Sequence, residues 1–409
     1  MKKKTLRDIQ LKNKTVIHRC DFNIKLKECG QAGMAPVSDV RIKAYFPSIF
    51  YLLEKGCKIV FMSYLERPGG KVVEQLRLAP VAQRMSQLIN RRVYVLEECV
   101  GSKVRKFIKQ MKPGEMVMLE NTRFHPGEEA DDNRFAQALA DNGEVMVQDA
   151  FGQCHRMHAS VTGIPRYLPS VAGFYLQGEM QVFDKLMRRP SRPLVLIVGG
   201  TKIFDKVGAI RNLIDRADQV LIGGAVANNF LCAQGIDIGR SFMSEPFVDQ
   251  AKGGRIDPVA IAKNLLRDYA DKIFIPQDLV AADSLTEPKK TKIIDLKKKA
   301  KLPTTWSFLD IGPRTTEHYL KIIGQAKTVF WDGPMGKYED VRFRRGTLKI
   351  AEAVAENHET TILAGGDTAA LAENFGLIFR YSHVSVAGGA ALEYLSGKPL
   401  PGITALLDN

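Results

Sequence analysis

Four arginines in the first half of the chain are the first residues whose type suggests chemistry. Arg41, Arg67, Arg123 and Arg156 each lie close to the end of a short apolar segment or to a polar cluster that follows one. A guanidinium group can donate two parallel hydrogen bonds to a carboxylate or a phosphate. A single arginine of this kind is usually a surface ion pair. Four of them together indicate a site for a small ligand that carries several negative charges.

Pairs of glycines occupy the corresponding places in the second half. They are Gly199-Gly200 before Thr201-Lys202, Gly365-Gly366 before Asp367-Thr368, and Gly388-Gly389. Glycine lets the backbone approach a phosphate, and a helix that begins there adds N–H donors. Lys202 and Lys206 lie four residues apart, so both can lie on one face of a helix. The carboxylate of Asp367 suits Mg²⁺ carried by a nucleotide. The second half therefore predicts a phosphate site.

Other common site motifs are missing from the sequence. There is no GxxxxGK[ST] loop, no HRD or DFG pair of the protein kinases, and no GxGxxG. His155 and His158 are three residues apart, which is not the HExxH spacing of a zinc site, and no Cys-x-x-Cys pair is present. These observations argue against a P-loop enzyme, a protein kinase and a zinc protein.

The elements that must position these residues are short apolar segments typical of buried strands. They cover residues 15–17, 59–62, 117–119, 145–147, 194–198, 329–331 and 362–364. Helical spacing of apolar residues alternates with them at 40–53, 135–139, 179–187 and 210–214. This alternation predicts an α/β fold with parallel sheets. Ligands of such sheets bind outside the carboxyl ends of the strands, where the polar clusters occur. Two lobes, each with its own anionic ligand, are expected.

Length and composition agree with two domains in one chain. With 409 residues, 45% of them apolar, the chain exceeds the size of an ordinary single core. The proline-containing stretch 188–193 is a plausible boundary. No apolar stretch reaches the roughly 18 residues needed to span a bilayer, and the charged N-terminal residues do not form a secretory signal. Six scattered cysteines suit reduced thiols in the cytoplasm.

The net charge of +14 fits anionic partners, which could be phosphorylated metabolites or nucleic acid, and equally fits a general basic bias. Nucleic-acid binding would predict clustered basic residues with interleaved aromatic residues. Because the densest lysine run, at 297–301, contains no aromatic residue, no nucleic-acid partner is expected.

Together the motifs make the sequence resemble the phosphoglycerate kinase family over essentially the whole chain. They occur in family order as Arg19-x-Asp21-Phe22-Asn23, Arg67-Pro68, Leu119-Glu120-Asn121-x-Arg123-Phe124-His125, Asp149-Ala150-Phe151-Gly152-x-x-His155-Arg156, Gly199-Gly200-x-Lys202, Gly333-Pro334-Met335-Gly336 and Gly365-Gly366-Asp367-Thr368. Several separate motifs in one order make the resemblance highly specific.

The resemblance implies two Rossmann-like lobes with parallel sheets, joined by a connecting helix and a hinge. The expected limits are 1–176 for a domain that binds phosphoglycerate, 177–191 for the helix, 192–395 for the nucleotide domain, and 396–409 for a tail that packs back on the first domain.

It also implies a glycolytic enzyme of the cytoplasm, monomeric, with small-molecule substrates. The reaction would be reversible phosphoryl transfer from 1,3-bisphosphoglycerate to ADP, giving 3-phosphoglycerate and ATP. Mg²⁺ bound with the nucleotide is the implied cofactor.

Site residues follow from the matching motifs. The implied acid-substrate site comprises Asp21, Phe22, Asn23, Arg41, Tyr64, Leu65, Glu66, Arg67, Arg123 and Arg156. The implied nucleotide site comprises Lys202, Lys206, Leu309, Pro334, Glu339, Gly365, Gly366, Asp367 and Thr368, with Glu339 on the ribose, Asp367 on the metal, and Leu309 and Pro334 beside the adenine.

The expected mechanism uses no general base, because a carboxylate acceptor is already ionised near neutral pH. Catalysis must then come from positioning and charge stabilisation. Arg41 and Lys202 would flank the phosphoryl group, with amide N–H groups of the turns at Gly366 and Gly388. Each lobe would hold one substrate, so closure of the cleft should precede transfer and exclude water.

Several positions depart from the family pattern. Tyr64 stands where histidine is expected, Glu66 where glycine is expected, Asp332 where asparagine is expected, and Val386-Ala387 where Thr-Gly is expected. Glu66 and Asp332 add negative charge near anionic ligands and are expected to weaken binding unless a cation offsets them. The alternative is that these substitutions are neutral variation compensated by neighbouring residues. The main alternative to an enzyme is a binding protein that has kept the fold and lost the catalytic activity. A third interpretation is a protein that binds nucleic acid through its net positive charge.

Overall fold

The computed structural model of the protein describes residues 2–28, 34–248, 255–298 and 302–409. It divides into two compact units, here called the first unit, Met1–Gln181 with Pro399–Asn409, and the second unit, Val182–Lys398. Lys299 and Lys301 of the lysine run, and Cys29, lie outside the described residues.

A six-stranded parallel sheet is the centre of the first unit, with the strand order β5-β6-β4-β1-β7-β8. Its strands are β1 Thr15–Arg19, β4 Lys58–Met62, β5 Val93–Val95, β6 Met116–Met118, β7 Val145–Gln148 and β8 Ser170–Ala172, and a hairpin is formed by β2 Leu26–Glu28 and β3 Met34–Pro36. The helices are α1 Val40–Lys43, α2 Phe46–Glu54, α3 Ala79–Ile89, α4 Ser102–Gln110, α5 Pro126–Glu129, α6 Asn133–Ala140 and α7 Phe174–Arg188, the last of which continues into the second unit.

Most residues of these strands are buried and apolar because helices cover both faces of the sheet. Alternate residues enter different cores: Val16 belongs to one buried cluster and Ile17 to another. Helix α3 has Pro80 in its first turn and is followed by Asn90, whose φ of +54° is the left-handed conformation common after a helix.

The second unit is built on a second six-stranded parallel sheet, with the order β13-β10-β9-β17-β18-β19. Its strands are β9 Leu194–Val198, β10 Gln219–Ile222, β13 Ile273–Phe274, β17 Thr328–Asp332, β18 Thr360–Ala364 and β19 His383–Ser385. Smaller antiparallel sheets contain β11 Phe247–Val248 with β12 Arg255–Ile256, and β14 Asp278–Ala282 with β15 Thr291–Asp295 and β16 Ser307–Ile311. The helices are α8 Ile203–Leu213, α9 Val226–Ala233, α10 Pro258–Asp268, α11 Pro313–Ile323, α12 Arg345–Glu356, α13 Gly366–Asn374, α14 Gly388–Leu395 and, in the first unit, α15 Pro401–Thr404.

The predicted α/β class with two parallel sheets is confirmed. The prediction of one helix over residues 40–53 is wrong, because these residues form two helices, α1 and α2. Pro47 lies in the first turn of α2, and since proline has no N–H, it is favoured at a helix start and not inside a helix.

The C-terminal residues 399–409 belong to the first unit. The ammonium group of Lys3 lies 2.8 Å from the carboxylate of Asp408, and the N–H of Leu407 donates to the carbonyl of Ser170 at 3.0 Å. Gly402 donates to the carbonyl of Cys154 at 2.8 Å, and a Cβ at Gly402 would lie only 2.7 Å from Val161. The chain end thus packs against the residues that follow β7.

Among the described residues, no helix is both long and apolar enough to cross a membrane. The described cysteines are free thiols, four of them buried.

Candidate functional site

In the first unit, the carboxyl ends of β1, β4, β6 and β7 each lead into a loop that carries predicted site residues. These strands are neighbours and run parallel, so their loops lie at one edge of the sheet. Asp21 and Asn23 follow β1, Tyr64 to Arg67 follow β4, Arg123 follows β6, and Arg156 follows β7.

Asp21 is held by its neighbours in this loop cluster. Its carboxylate lies 3.1 Å from Nη1 of Arg41, and its N–H donates to the hydroxyl of Tyr45 at 3.0 Å. Its carboxylate also accepts from the N–H of Asn23 at 3.1 Å. The Arg41 side chain remains 23% exposed, so its guanidinium is held in place and still accessible to a ligand.

Tyr64 lies beneath a cluster of cations. Its ring centre is 3.9 Å from Cζ of Arg123 and 5.5 Å from Cζ of Arg19, distances at which a cation is attracted to an aromatic face. Its hydroxyl accepts from Nε2 of Gln153 at 2.5 Å. Because Tyr64, like Phe22 and Leu65, is almost completely buried, it supports the arginines from below.

Glu66 contributes to the site through its backbone. Its N–H donates to Oδ1 of Asn23 at 2.8 Å, and its carbonyl accepts from Nη1 of Arg123 at 2.7 Å. Its φ of +49° lies in the left-handed region, which glycine adopts without steric cost. The side chain is exposed. The structure therefore explains why glycine is suited to this position and shows that glutamate is accommodated there.

The cations of this cluster change the acidity of their neighbours. Burial lowers the pKa of Arg123, and Arg19 and Arg156 lower it further. Burial and Arg156 lower the pKa of His155 to about 4, and burial with Arg123 and the other arginines lowers the pKa of His158 to about 3. Both histidines are neutral at pH 7. A cluster whose members repel added positive charge is suited to an anion.

A buried network below the arginines was not predicted from the sequence. Nε of Arg19 donates to the hydroxyl of Ser160 at 2.9 Å, and that hydroxyl donates to Oε1 of Glu128 at 2.5 Å. Arg19, Ser160 and Glu128 are all completely buried. Arg19 was noted only as part of a motif, and Glu128 lies in a polar stretch that gave no signal.

In the second unit, three helices begin at one cavity of about 460 Å³. It is lined by Gly200, Thr201, Lys202, Phe204, Lys206, Asp332, Gly333, Gly365, Gly366, Asp367, Thr368, Gly388, Gly389, Leu392, Glu393 and Lys398. Helices α8, α13 and α14 start at Ile203, Gly366 and Gly388. The N–H groups in the first turns of these helices and the positive ends of the three helix dipoles make this cavity suitable for phosphates. It is called the phosphate cavity below.

Glycines allow the turns around this cavity to meet. A Cβ at Gly199 would lie 2.1 Å from the carbonyl oxygen of Pro334, which leaves no room for any side chain. A Cβ at Gly388 would lie 3.9 Å from Cα of Gly365, whereas one at Gly366 would meet no atom within 4 Å. The predicted turns therefore converge, and the backbone at Gly366 faces open space.

Lys206 is bound within the protein and does not extend freely into the cavity. Its ammonium group forms a buried ion pair with Oδ2 of Asp332 and lies 3.3 Å from the main-chain oxygen of the same residue. Lys202, by contrast, is exposed, at the N-terminus of α8. Thr368 is also engaged, because its hydroxyl accepts from the N–H of Gly333 at 2.8 Å.

A second, largely apolar cavity of about 510 Å³ adjoins the first, because Gly200, Thr201 and Asp367 line both. Its other lining residues include Leu309 and Pro334, and Glu339 with Lys337. Burial raises the pKa of Asp310, another lining residue, to about 7. An apolar cavity joined to a phosphate-type cavity has the form required by a nucleotide.

Asp367 is the candidate metal ligand. It is exposed at the start of α13 and lines both cavities. Mg²⁺ is commonly held by one or two carboxylates together with substrate phosphates, and a single accessible carboxylate beside a phosphate cavity fits that pattern. Within the described ranges, no group of three or more His, Cys, Asp or Glu residues could hold a metal by itself.

Comparisons with known proteins agree across the chain. The family profile described as phosphoglycerate kinase matches residues 6–398. Curated proteins named phosphoglycerate kinase are 42% identical in Moorella thermoacetica, 41% in Pelotomaculum thermopropionicum and 43% in Roseiflexus sp. (strain RS-1), with each chain covered completely. The solved structures of phosphoglycerate kinase from Coxiella burnetii and Pyrococcus horikoshii OT3 share 32% and 31% identity, with TM-scores of 0.80 and 0.85 and 98% coverage of both chains.

Proposed function

The chain belongs to the phosphoglycerate kinase family, and on that premise we propose that it catalyses reversible, Mg²⁺-dependent transfer of a phosphoryl group from 1,3-bisphosphoglycerate to ADP. The products are 3-phosphoglycerate and ATP, in glycolysis. We propose further that it acts in the cytoplasm, as a monomer, on small-molecule substrates and without a nucleic-acid partner.

One observation carries the assignment of the nucleotide to the second unit. The apolar cavity beside Leu309 and Pro334 continues into the cavity where three helices begin, and Asp367 lines both. A base in the first cavity would place its phosphates in the second, with the metal ligand at their junction. Glu339, in the wall of the apolar cavity, is suited to the ribose hydroxyls.

The acid substrate is assigned to the first unit. Arg41, Arg67, Arg123 and Arg156 supply guanidinium groups for its carboxylate and phosphate groups. Asp21 orients Arg41 through the contact of 3.1 Å. Asn23 and the backbone of Glu66 fix the loop between them. Tyr64 supports Arg123, so its role is positioning and not contact with the substrate.

The proposed mechanism needs no general base, since the carboxylate acceptor is ionised at neutral pH. Arg41 stabilises negative charge from the side of the acid substrate, and Lys202 does so from the side of the nucleotide. The N–H groups at Gly366 and Gly388 bind phosphate oxygens. Asp367 would hold Mg²⁺, and the chemistry that the ion would supply is neutralisation of charge on the nucleotide phosphates. The two units close before transfer, which excludes water from the acyl phosphate.

A coupled assay of ATP-dependent 3-phosphoglycerate phosphorylation tests this function. Wild type should be active, and Lys202→Ala should lower kcat by about 10²-fold or more, because a group that stabilises developing charge is lost. Lys321→Ala, which removes an exposed lysine from α11, is the matched control and should leave kcat unchanged. An inactive wild-type protein, or full activity in Lys202→Ala, would contradict the proposal and favour a binding protein.

A further inference from the structure

The buried ion pair between Lys206 and Asp332 changes the charge of the phosphate cavity. The exposed fractions of these residues are 8% and 5%. The ammonium group also lies 3.3 Å from the main-chain oxygen of Asp332. In a site this dry, a carboxylate in direct contact cancels the charge of the lysine as a ligand would experience it.

The remaining charges of the cavity also balance. Among the residues that line it, the cations are Lys202, Lys206 and Lys398, and the carboxylates are Asp332, Asp367 and Glu393. Their formal charges cancel. The cavity attracts phosphates through helix N-termini and two exposed lysines, Lys202 and Lys398, without an excess of positive side chains.

We infer that Asp332, by neutralising Lys206, makes this site select the Mg²⁺ complex of the nucleotide over the free nucleotide. The inference rests on the proposed function and names a specificity-determining residue for it. Free ADP carries about three negative charges and its Mg²⁺ complex about one, and Coulomb energy scales with the product of the charges. A cavity whose side-chain charges balance therefore does little to offset the negative charge of free ADP. One additional positive charge in the cavity would strengthen the binding of free ADP more than the binding of its Mg²⁺ complex.

The position of Asp332 supports a role at the phosphate turn. A Cβ at Gly365 would lie 2.8 Å from Oδ1 of Asp332, so the carboxylate lies directly behind the turn that begins α13. The strand β17 ends at Asp332 and pairs with β18, which ends at Ala364. The two strand ends fix the carboxylate next to this turn, and Oδ2 contacts Lys206 on the other side.

Binding of ADP, measured by calorimetry in EDTA and in excess Mg²⁺, tests the inference without using activity. Asp332→Asn adds one positive charge to the cavity, and we expect it to tighten free ADP about tenfold and the Mg²⁺ complex only about twofold, in line with their charges. The dissociation constant of free ADP divided by that of the Mg²⁺ complex should then fall about fivefold. An unchanged ratio would overturn the inference.

Two further variants separate the ion pair from general effects. Lys206→Met combined with Asp332→Asn removes both charges and leaves no unpaired buried ion, so the ratio should return to its wild-type value. Glu393→Gln removes a carboxylate from the same cavity that is not paired with Lys206, and its effect should be smaller because that residue is partly exposed to solvent. An equal effect of Glu393→Gln, or failure of the double variant to restore the ratio, would contradict a specific role of the pair.

The experiment also distinguishes the two proposals. If wild type binds Mg²⁺-ADP and Asp332→Asn leaves the ratio unchanged, the inference fails and the proposed function stands. If wild type binds ADP in neither condition, the proposed function fails, and the inference fails with it.

Discussion

His155 and His158 show how strongly single side chains depend on their surroundings in this protein. Burial and nearby arginines lower their pKa values to about 4 and about 3, so both rings are neutral among cations at pH 7. An anionic substrate would add negative charge beside these cations. The histidines therefore report on the electrostatics of the proposed acid-substrate site without having to contact the ligand.

We predict an NMR titration of His155 with a pKa of about 4 in the free protein. Since the unfolded histidine titrates near 6.5, the unfolded state takes up the proton first as the pH falls, and stability is lost between those two values. His155 should contribute about 2 kcal/mol of this loss by pH 5, and the loss in His155→Gln should be smaller by that amount, because the contribution of His158 remains. A pKa at or above 6.5, or equal pH dependence of unfolding in both proteins, would contradict the prediction.

The sequence alone was informative about some residues and not about others. Arg41, Lys202 and Asp367 could be selected because four arginines in the first half, and paired glycines beside a lysine or a carboxylate in the second, together indicate sites for anions. The ion pair between Lys206 and Asp332 could not be predicted, because these residues lie 126 positions apart in the chain. Lysine and aspartate in such places also commonly bind nucleotides or metals. The positive φ of Glu66 was not evident from its own residue type, and the only signal was the glycine that the family pattern has at this position.

Turns between strands and helices form the phosphate cavity of the second unit. The helices α8, α13 and α14 all begin within it. Glycine at positions 199 and 333 permits backbone contacts that a side chain would prevent, and glycine at position 365 leaves room for the side chain of Asp332. The strands were predictable because a buried parallel strand is a continuous apolar segment. The ends of helices were harder to predict. Residues 40–53, for example, form two helices, and Pro47 lies in the first turn of the second.

Gly365→Ala should impair both folding and nucleotide binding. Gly365 has φ of 94° and ψ of 146°, a region open almost only to glycine, and a Cβ there would displace Asp332. We expect a loss of about 1–3 kcal/mol in the free energy of unfolding and a KM for ATP raised about tenfold, equivalent to about 1.4 kcal/mol.

Gly376→Ala is the matched control for this prediction. Gly376 also has a positive φ, of 70°, but a Cβ there would meet no atom within 4 Å. It should lose stability, by about 1–2 kcal/mol, without a change in KM. If the two variants had the same KM for ATP, the turn at Gly365 would not shape the nucleotide site.

The complete chain has two units with complementary chemistry. Loops rich in arginine follow the strands of the first unit, and glycine turns at helix N-termini follow those of the second. In both units, many of the candidate residues lie in the segments that follow the carboxyl ends of parallel strands, whereas Arg41 lies in α1 and Leu309 in the antiparallel strand β16. The proposed reaction requires a ligand on each unit, and therefore requires that Arg41 of the first unit and Lys202 of the second act on the same phosphoryl group.

The most direct measurement of this claim is kcat for wild type, Arg41→Ala, Lys202→Ala and the double variant, with both substrates saturating. We expect each single change to lower kcat by about 10²-fold or more, and the double change to cost clearly less than the product of the two, because both groups stabilise one transition state. The claim would be contradicted if Arg41→Ala raised only the KM for 3-phosphoglycerate, or if the two losses multiplied as independent effects.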